Sequence, residues 1–332
     1  MGEGNAPPQG HRPRLILDRD ATMTRPAPGN YHRLLPKQPT NSTPTTTGLT
    51  LAVIAFAWWG LVMPIYLGAV KAAPLEQLAQ RVVFGVPAAL LLIILAKAWP
   101  ELKETFRSKR RLAVLALSTV FMAGIWVAFI YAVSTDRIMD ISLGYYTAPL
   151  VSVALGMIFL GERQSPLEWL AIALAVAAVA IISIQLGTIP WIALTIAFCF
   201  AAYGLVRKKA HTGPLAGLTV ELIFLLPLGA ALYFWLAARG TVAITTAPPV
   251  QLALMLIAGF VVIVPFLTFA GAARRLRLTT LGILQYIAPT GQMLIALING
   301  EPLTTTRIIA FSLIWLALAC YGFDALRQRR KP

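Results

Sequence analysis

The sequence predicts an all-α membrane protein: ten transmembrane helices built as two inverted five-helix repeats, with both termini in the cytoplasm. Three observations predict it. Apolar residues make up 58% of the 332 and charged residues 12%, about half the charge of an ordinary soluble domain. Ten apolar stretches occur, each close to the roughly 20 residues a helix needs to cross a bilayer core of about 30 Å. They lie at 48–67, 76–97, 112–134, 141–160, 167–187, 189–206, 215–237, 250–273, 280–298 and 305–325. The chain also echoes itself at an offset of 140: Pro74, Leu75, Leu78, Phe84 and Pro87 recur as Pro214, Leu215, Leu218, Phe224 and Pro227.

Residues 1–47 hold much Pro, Thr and Arg and few large apolar side chains. They cannot bury enough surface to offset ordering, so a disordered cytoplasmic tail is expected. No apolar core follows the early arginines before Gly48, which excludes a cleavable signal peptide; the first stretch acts as an uncleaved insertion signal. The first repeat is 48–187 and the second 189–325, joined at Gly187-Thr188 as a tight helical hairpin. Residues 326–332 form a basic cytoplasmic tail. An outer-membrane barrel would show short alternating segments, and the run from Leu167 to Leu186 does not alternate.

Loop charge sets the orientation. Numbered from the N-terminal tail, even-side segments carry 23 Lys and Arg, odd-side loops carry 4, and Arg81 stands inside a stretch. The positive-inside rule then places both termini in the cytoplasm. A missed span would break that alternation. The same asymmetry explains the net charge of +15 without nucleic acid, because the basic residues are spread over six segments and form no single patch. Five spans per repeat is an odd number, so the second copy enters the membrane from the opposite side. Further echoes support the duplication: Pro149 and Pro289, Gly161-Glu162 and Gly300-Glu301, and Trp59-Gly60-Leu61-Val62 with Tyr203-Gly204-Leu205-Val206. Inverted repeats of this kind are a construction used by secondary transporters.

Enzyme signatures are absent. His11, His32 and His211 lie in the tail or a loop, and no H-E-x-x-H, phosphate-loop or G-x-S-x-G pattern occurs. No metal and no cofactor is expected. Cys199 and Cys320 sit in apolar stretches as small hydrophobes.

Arg81 and Glu221 are the sharpest polar signals, since a charge inside a span costs several kcal/mol unless paired or hydrated. They are equivalents at the offset of 140. Each lies about six residues from its own face, so at about 1.5 Å per residue and a core of about 30 Å the two differ in depth by about 12 Å. One reading gives each vestibule one charged residue that binds solute or gates. The other has a snorkelling Arg and a Glu held by a neighbouring helix end. Proton coupling through a carboxylate inside the membrane would use Glu221; the competing role for Glu221 is binding a solute amine.

A second set surrounds two prolines. Tyr145, Tyr146 and Thr147 precede Pro149; Gln285 and Tyr286 precede Pro289. Proline frees the carbonyl four residues earlier, so two equivalent broken helices at a midplane site are expected. With Trp58, Trp59, Trp126, Tyr203 and Gln292 these groups suit an amphipathic cavity; interfacial belts and packing are the alternative. Glu162 and Glu301 end two stretches and are expected to make helix-end hydrogen bonds. Asp136, Arg137 and Asp140 are expected to be solvated in an outer loop.

The segment from Ser142 to Arg163, Ser-Leu-Gly-Tyr-Tyr-Thr-Ala-Pro-Leu-Val-Ser-Val-Ala-Leu-Gly-Met-Ile-Phe-Leu-Gly-Glu-Arg, resembles a fourth-helix signature of the RarD branch of EamA-type transporters, in the drug/metabolite transporter superfamily. The segments 202–209 and 275–290 resemble two further signatures of that branch. The resemblance covers about 48 to 328. Gln80 stands before Arg81 where the branch often has His, Ile125 before Trp126 and Ala148 before Pro149 where it often has Asn, and Pro302 follows Glu301 where a basic residue is usual. Arg81, Trp126, Glu221, Gln285 and Tyr286 match and carry over as cavity residues. The resemblance implies a bacterial cytoplasmic-membrane permease, and the branch takes its name from a chloramphenicol-sensitivity phenotype. The function expected is transport or facilitated movement of a small amphipathic metabolite or drug-like solute, outward, by alternating access. A membrane enzyme or non-transporting scaffold is the alternative. The solute, the surrounding lipid and a second copy of the chain, as a homodimer, are the expected partners.

Overall fold

The computed structural model describes residues 45–135, 137–186, 191–300 and 304–329. The expected tail up to residue 44, the turn at Gly187-Thr188, and Asp136 and Glu301 lie outside them. The described secondary structure is helical throughout, with no strand among those residues. Among the described residues, eight helices are long and apolar enough to cross a membrane, and a further, shorter apolar run spans Ile308–Asp324.

The first stretch starts at Thr46, with the Thr45 side chain accepting from the Gly48 N–H at 3.2 Å. It folds as α1 (Thr46–Ala57), a π-helical segment (Trp58–Val62) and α2 (Met63–Ala69). Pro74 opens α3 (Pro74–Val83), where its missing N–H costs no hydrogen bond. Phe84 interrupts the helix before α4 (Gly85–Leu95). A short helix α5 (Trp99–Arg107) leads to the unbroken α6 (Lys109–Ser134) and α7 (Ile138–Leu160). Gly161, in the left-handed region at φ 63°, ends α7.

A capping box opens α8 (Pro166–Leu186): the Glu168 N–H donates to Ser165 Oγ at 3.1 Å and the Ser165 N–H to Glu168 Oε2 at 2.8 Å. α9 (Trp191–Lys209) and α10 (Pro214–Ala238) are continuous. The eighth stretch breaks at Ile257 into α11 (Pro249–Leu256) and α12 (Ala258–Ala273). The ninth breaks at Gln285 and Tyr286 into α13 (Leu278–Leu284) and α14 (Ile287–Ile298). The last, α15 (Thr305–Arg329), stays helical through residues expected to form the basic tail.

The expectation of two equivalent proline breaks is half corrected: α7 runs through Pro149 without interruption. Gly282 lets α13 close on the Pro149 backbone, where a Cβ would lie 2.8 Å from the Pro149 carbonyl oxygen. Neighbouring helices at such close range can hold a proline turn in place. Asp140 is also corrected: it is 2% exposed in the first turn of α7, ion-paired to Arg137 at 2.7 Å, in a geometry short of a directed hydrogen bond.

Two four-helix groups emerge. In one, α1 packs on α12 and α14, and α3 and α4 pack on α12; in the other, α9 packs on α6 and α7, and α10 packs on α6. The groups meet where α3 lies against α10 and α7 against α13, while α8 and α15 pair at one side.

Candidate functional site

Glu221 sits about two turns into α10, fully buried. Arg207, 1% exposed near the end of α9, pairs with it at 3.5 Å. Ser118 Oγ from α6 lies 2.5 Å from Glu221 Oε1, and Tyr203 Oη donates to Oε2 at 3.2 Å. Arg207 also donates to the Pro214 carbonyl at 3.2 Å. Gly217 makes room for the guanidinium, because a Cβ there would collide with its Nη1. Three helices of the unbroken group are thus tied by one buried polar network, in which Arg207 meets Glu221 as an ion pair and not through a hydrogen bond.

Arg81 is placed differently. It lies in the last turn of α3, just before the break at Phe84. Among the described residues it makes no ion pair and donates no hydrogen bond, and its Nε is buried without a partner. The phenols of Tyr145 from α7 and Tyr66 from α2 are close enough to interact with it electrostatically. Tyr66 Oη donates to the Leu254 carbonyl at 3.0 Å.

The other expected residues divide. Tyr145 stands edge-on to Phe200 at 6.4 Å and, with Trp126, borders the central apolar cluster. Trp59 in the π-helical segment meets Phe266 at 5.3 Å, Phe200 at 5.7 Å and Phe269 at 5.8 Å in that cluster. Gln285 is buried at the break between α13 and α14. Tyr146 and Tyr286 pack with Ala178 and Ala310 of α8 and α15 in a separate apolar cluster. Arg81 and Tyr145 are therefore within electrostatic reach of each other, Trp126 borders the same apolar cluster as Tyr145, and Glu221 belongs to a separate network.

Arg207 and Ser118 are residues that sequence reasoning missed. Arg207 heads the basic run Arg207-Lys208-Lys209 and so reads as a loop residue. Its position four residues after Tyr203, on the same helix face, and Gly217 four residues before Glu221 were the available signals.

The end of α7 holds a second polar cluster. Glu162 accepts from the N–H groups of Leu278 at 2.6 Å and Thr279 at 2.8 Å, capping α13. Arg277 donates to Glu168 at 2.9 Å and to the Arg163 carbonyl at 2.5 Å. Lys208 reaches the Leu276 carbonyl, and Ser165 Oγ donates to Asp324 at 2.7 Å.

A multi-pass helical protein with buried charges at helix interfaces has the form of a membrane transporter, and residues 46–184 match the model of the EamA-like transporter family. Protein RarD of Escherichia coli (strain K12) is 39% identical over 290 residues, covering 86% of this chain and 97% of its own. An uncharacterized transporter of Pseudomonas aeruginosa is 42% identical over 290 residues, covering 86% and 96%. A protein of that organism named chloramphenicol-sensitive protein RarD is 32% identical over 262 residues. A crystal structure 18% identical aligns with a TM-score of 0.66 over 85% of this chain and 98% of its own, a likeness of fold. The chain belongs to the EamA-like transporters, in their RarD branch.

Proposed function

We propose that this transporter is a secondary carrier or facilitator. It moves a small amphipathic metabolite or drug-like solute out across the bacterial cytoplasmic membrane by alternating access, through ten spans arranged as two inverted repeats. The observation that carries the reading is the exchange symmetry of the packing. Swapping each stretch for its equivalent 140 residues away turns the α9 contacts with α6 and α7 into the α1 contacts with α12 and α14. The α3–α10, α7–α13 and α8–α15 pairs map onto themselves. Two such interchangeable halves are what alternating exposure of a midplane site needs.

Loop contacts support the sidedness. Glu101, between the second and third stretches, accepts from the Gly213 N–H at 2.6 Å, between the sixth and seventh. Glu76 and Gln251 join the first and seventh loops, with Glu76 accepting from Ala243 N–H at 2.9 Å and Gln251 from Lys71 N–H at 2.9 Å. Arg277 joins the fourth and eighth. Each contact links loops assigned to the same face by their charge. Outward transport rests on the family alone.

Purified protein in proteoliposomes, offered a panel of labelled metabolites and chloramphenicol, should give flux above empty vesicles for at least one solute. A scaffold or enzyme gives none. Single cysteines at Ser108 and Arg275 should label from the cytoplasm only, and one at Thr241 from outside only; labelling of Thr241 from the cytoplasm would overturn the ten-span arrangement.

A further inference from the structure

We propose that Arg81 and Tyr145 bind the carboxylate of the transported solute, so that the carrier serves organic monoanions with an apolar or aromatic body. The inference rests on the carrier reading and adds the charge of the cargo.

The argument begins with what the other buried charges do. Glu221 is matched by Arg207, Asp140 by Arg137 and Glu168 by Arg277. Glu76 and Glu162 are each held by backbone N–H groups. Charge buried in this chain is answered within the chain, as the cost of an unpaired charge in a low-dielectric interior demands. Arg81 is the exception among the described residues. Its guanidinium has no counter-charge and donates no hydrogen bond, although it lies inside a helix of the membrane region.

Glu221, its equivalent in the second half, cannot serve as the partner in this conformation. Both carboxylate oxygens are taken by Arg207, Ser118 and Tyr203. Snorkelling does not remove the problem either, because Nε is enclosed and the side chain is only partly accessible. A cation left this way in a carrier is matched by what it carries.

The donors fix the ligand's charge and shape. Arg81 presents a planar fork that suits a carboxylate in two-point contact. The Tyr145 hydroxyl donates to no described residue and is close enough to the guanidinium to interact with it electrostatically, whereas the Tyr66 hydroxyl is used by Leu254. One cation and one free hydroxyl balance a monoanion; a phosphate dianion would leave charge uncompensated. Tyr145 also stands edge-on to Phe200, whose ring continues into Trp59, Phe266 and Phe269. The partly exposed Trp59 and Phe266 rings suit an apolar body attached to the carboxylate.

The test uses three matched probes on the full chain in detergent: 3-phenylpropionate, its neutral amide and 3-phenylpropylamine. Thermal unfolding should show a saturable rise in Tm with the carboxylate and none with the amide or the amine. The rise should vanish in Arg81→Gln, weaken in Tyr145→Phe and persist in part in Arg81→Lys. Equal stabilisation by the amide, stabilisation by the amine, or no saturable shift with the carboxylate overturns the proposal. The comparison among probes on the unaltered protein stands even where a variant fails to fold. Proteoliposome flux separates this outcome from the carrier reading: flux of a neutral or cationic solute that survives in Arg81→Gln keeps the carrier and removes the anion site.

Discussion

The two four-helix groups are built from equivalent stretches of sequence, yet one is irregular and the other is not. The first, second, eighth and ninth stretches each carry a π-helical segment or a break, at Trp58–Val62, Phe84, Ile257 and Gln285–Tyr286. The third, fourth, sixth and seventh run as continuous α6, α7, α9 and α10. The irregularities meet in pairs. A Cβ on Gly259 would strike the Phe84 carbonyl, and one on Gly60 would lie 2.6 Å from the Ala288 carbonyl oxygen. At these two crossings the helical ladder is irregular beside the contact, whereas α7 stays continuous where Gly282 meets Pro149. The charges follow the same division: the regular group encloses the Arg207–Glu221 pair, and the irregular group carries Arg81 without a partner. One group is cross-braced, and the other keeps its polar capacity open.

The largest effect that sharpens this contrast is expected at Arg207. Arg207→Ala strands Glu221 in the interior and should destabilise by about 3–5 kcal/mol, because a buried charge is left uncompensated. Arg207→Ala with Glu221→Ala should recover much of that loss, read as thermal unfolding of the purified protein in a double-mutant cycle. Additive losses would mean that the pair does not brace the group.

A smaller difference is expected between equivalent glycines. Gly60→Ala drives a Cβ against backbone and should cost about 1–3 kcal/mol. Gly204→Ala meets the Phe269 ring at 3.3 Å, which can shift, and should cost under about 1 kcal/mol. Equal Tm changes would erase the distinction between the groups. Amide exchange should show the next effect: helix ends beside Phe84, Ile257 and Tyr286 should exchange about tenfold faster than mid-helix amides of α6 and α10, about 1.4 kcal/mol less protected. The smallest effect belongs to Arg81→Gln, expected to move stability by less than about 0.5 kcal/mol, since it removes a charge that supports no contact. A fall comparable to that of Arg207→Ala would place Arg81 among the braces.

The apolar stretches and the helical class were legible because a span needs a long apolar run whatever its tertiary partners. The breaks were not. Proline is the marker a sequence offers, but Pro149, Pro227 and Pro265 all lie inside helices, while Phe84 and Ile257 interrupt theirs. Close backbone crossing is a tertiary property, announced only by glycines such as Gly60 and Gly259, whose contacts no local pattern reveals. Arg81 and Glu221 stood out as charges in apolar runs. Arg207 did not, because a basic residue at the end of a span already satisfies the sidedness rule, and nothing local shows that it turns inward.

Glu162 gives the ninth stretch an unusual mechanical character. Its carboxylate clamps the first residues of α13 to the end of α7, and the Tyr321 hydroxyl, 2.5 Å from that of Thr280, fastens the same short helix to α15. Beyond the break, α14 is seated instead on the π-helical segment, Gly291 against Gly60. One arm of this elbow is bolted to the polar cluster at the end of α7 and the other rides on the first stretch. Any sliding of one group past the other must be taken up as torsion at Gln285 and Tyr286.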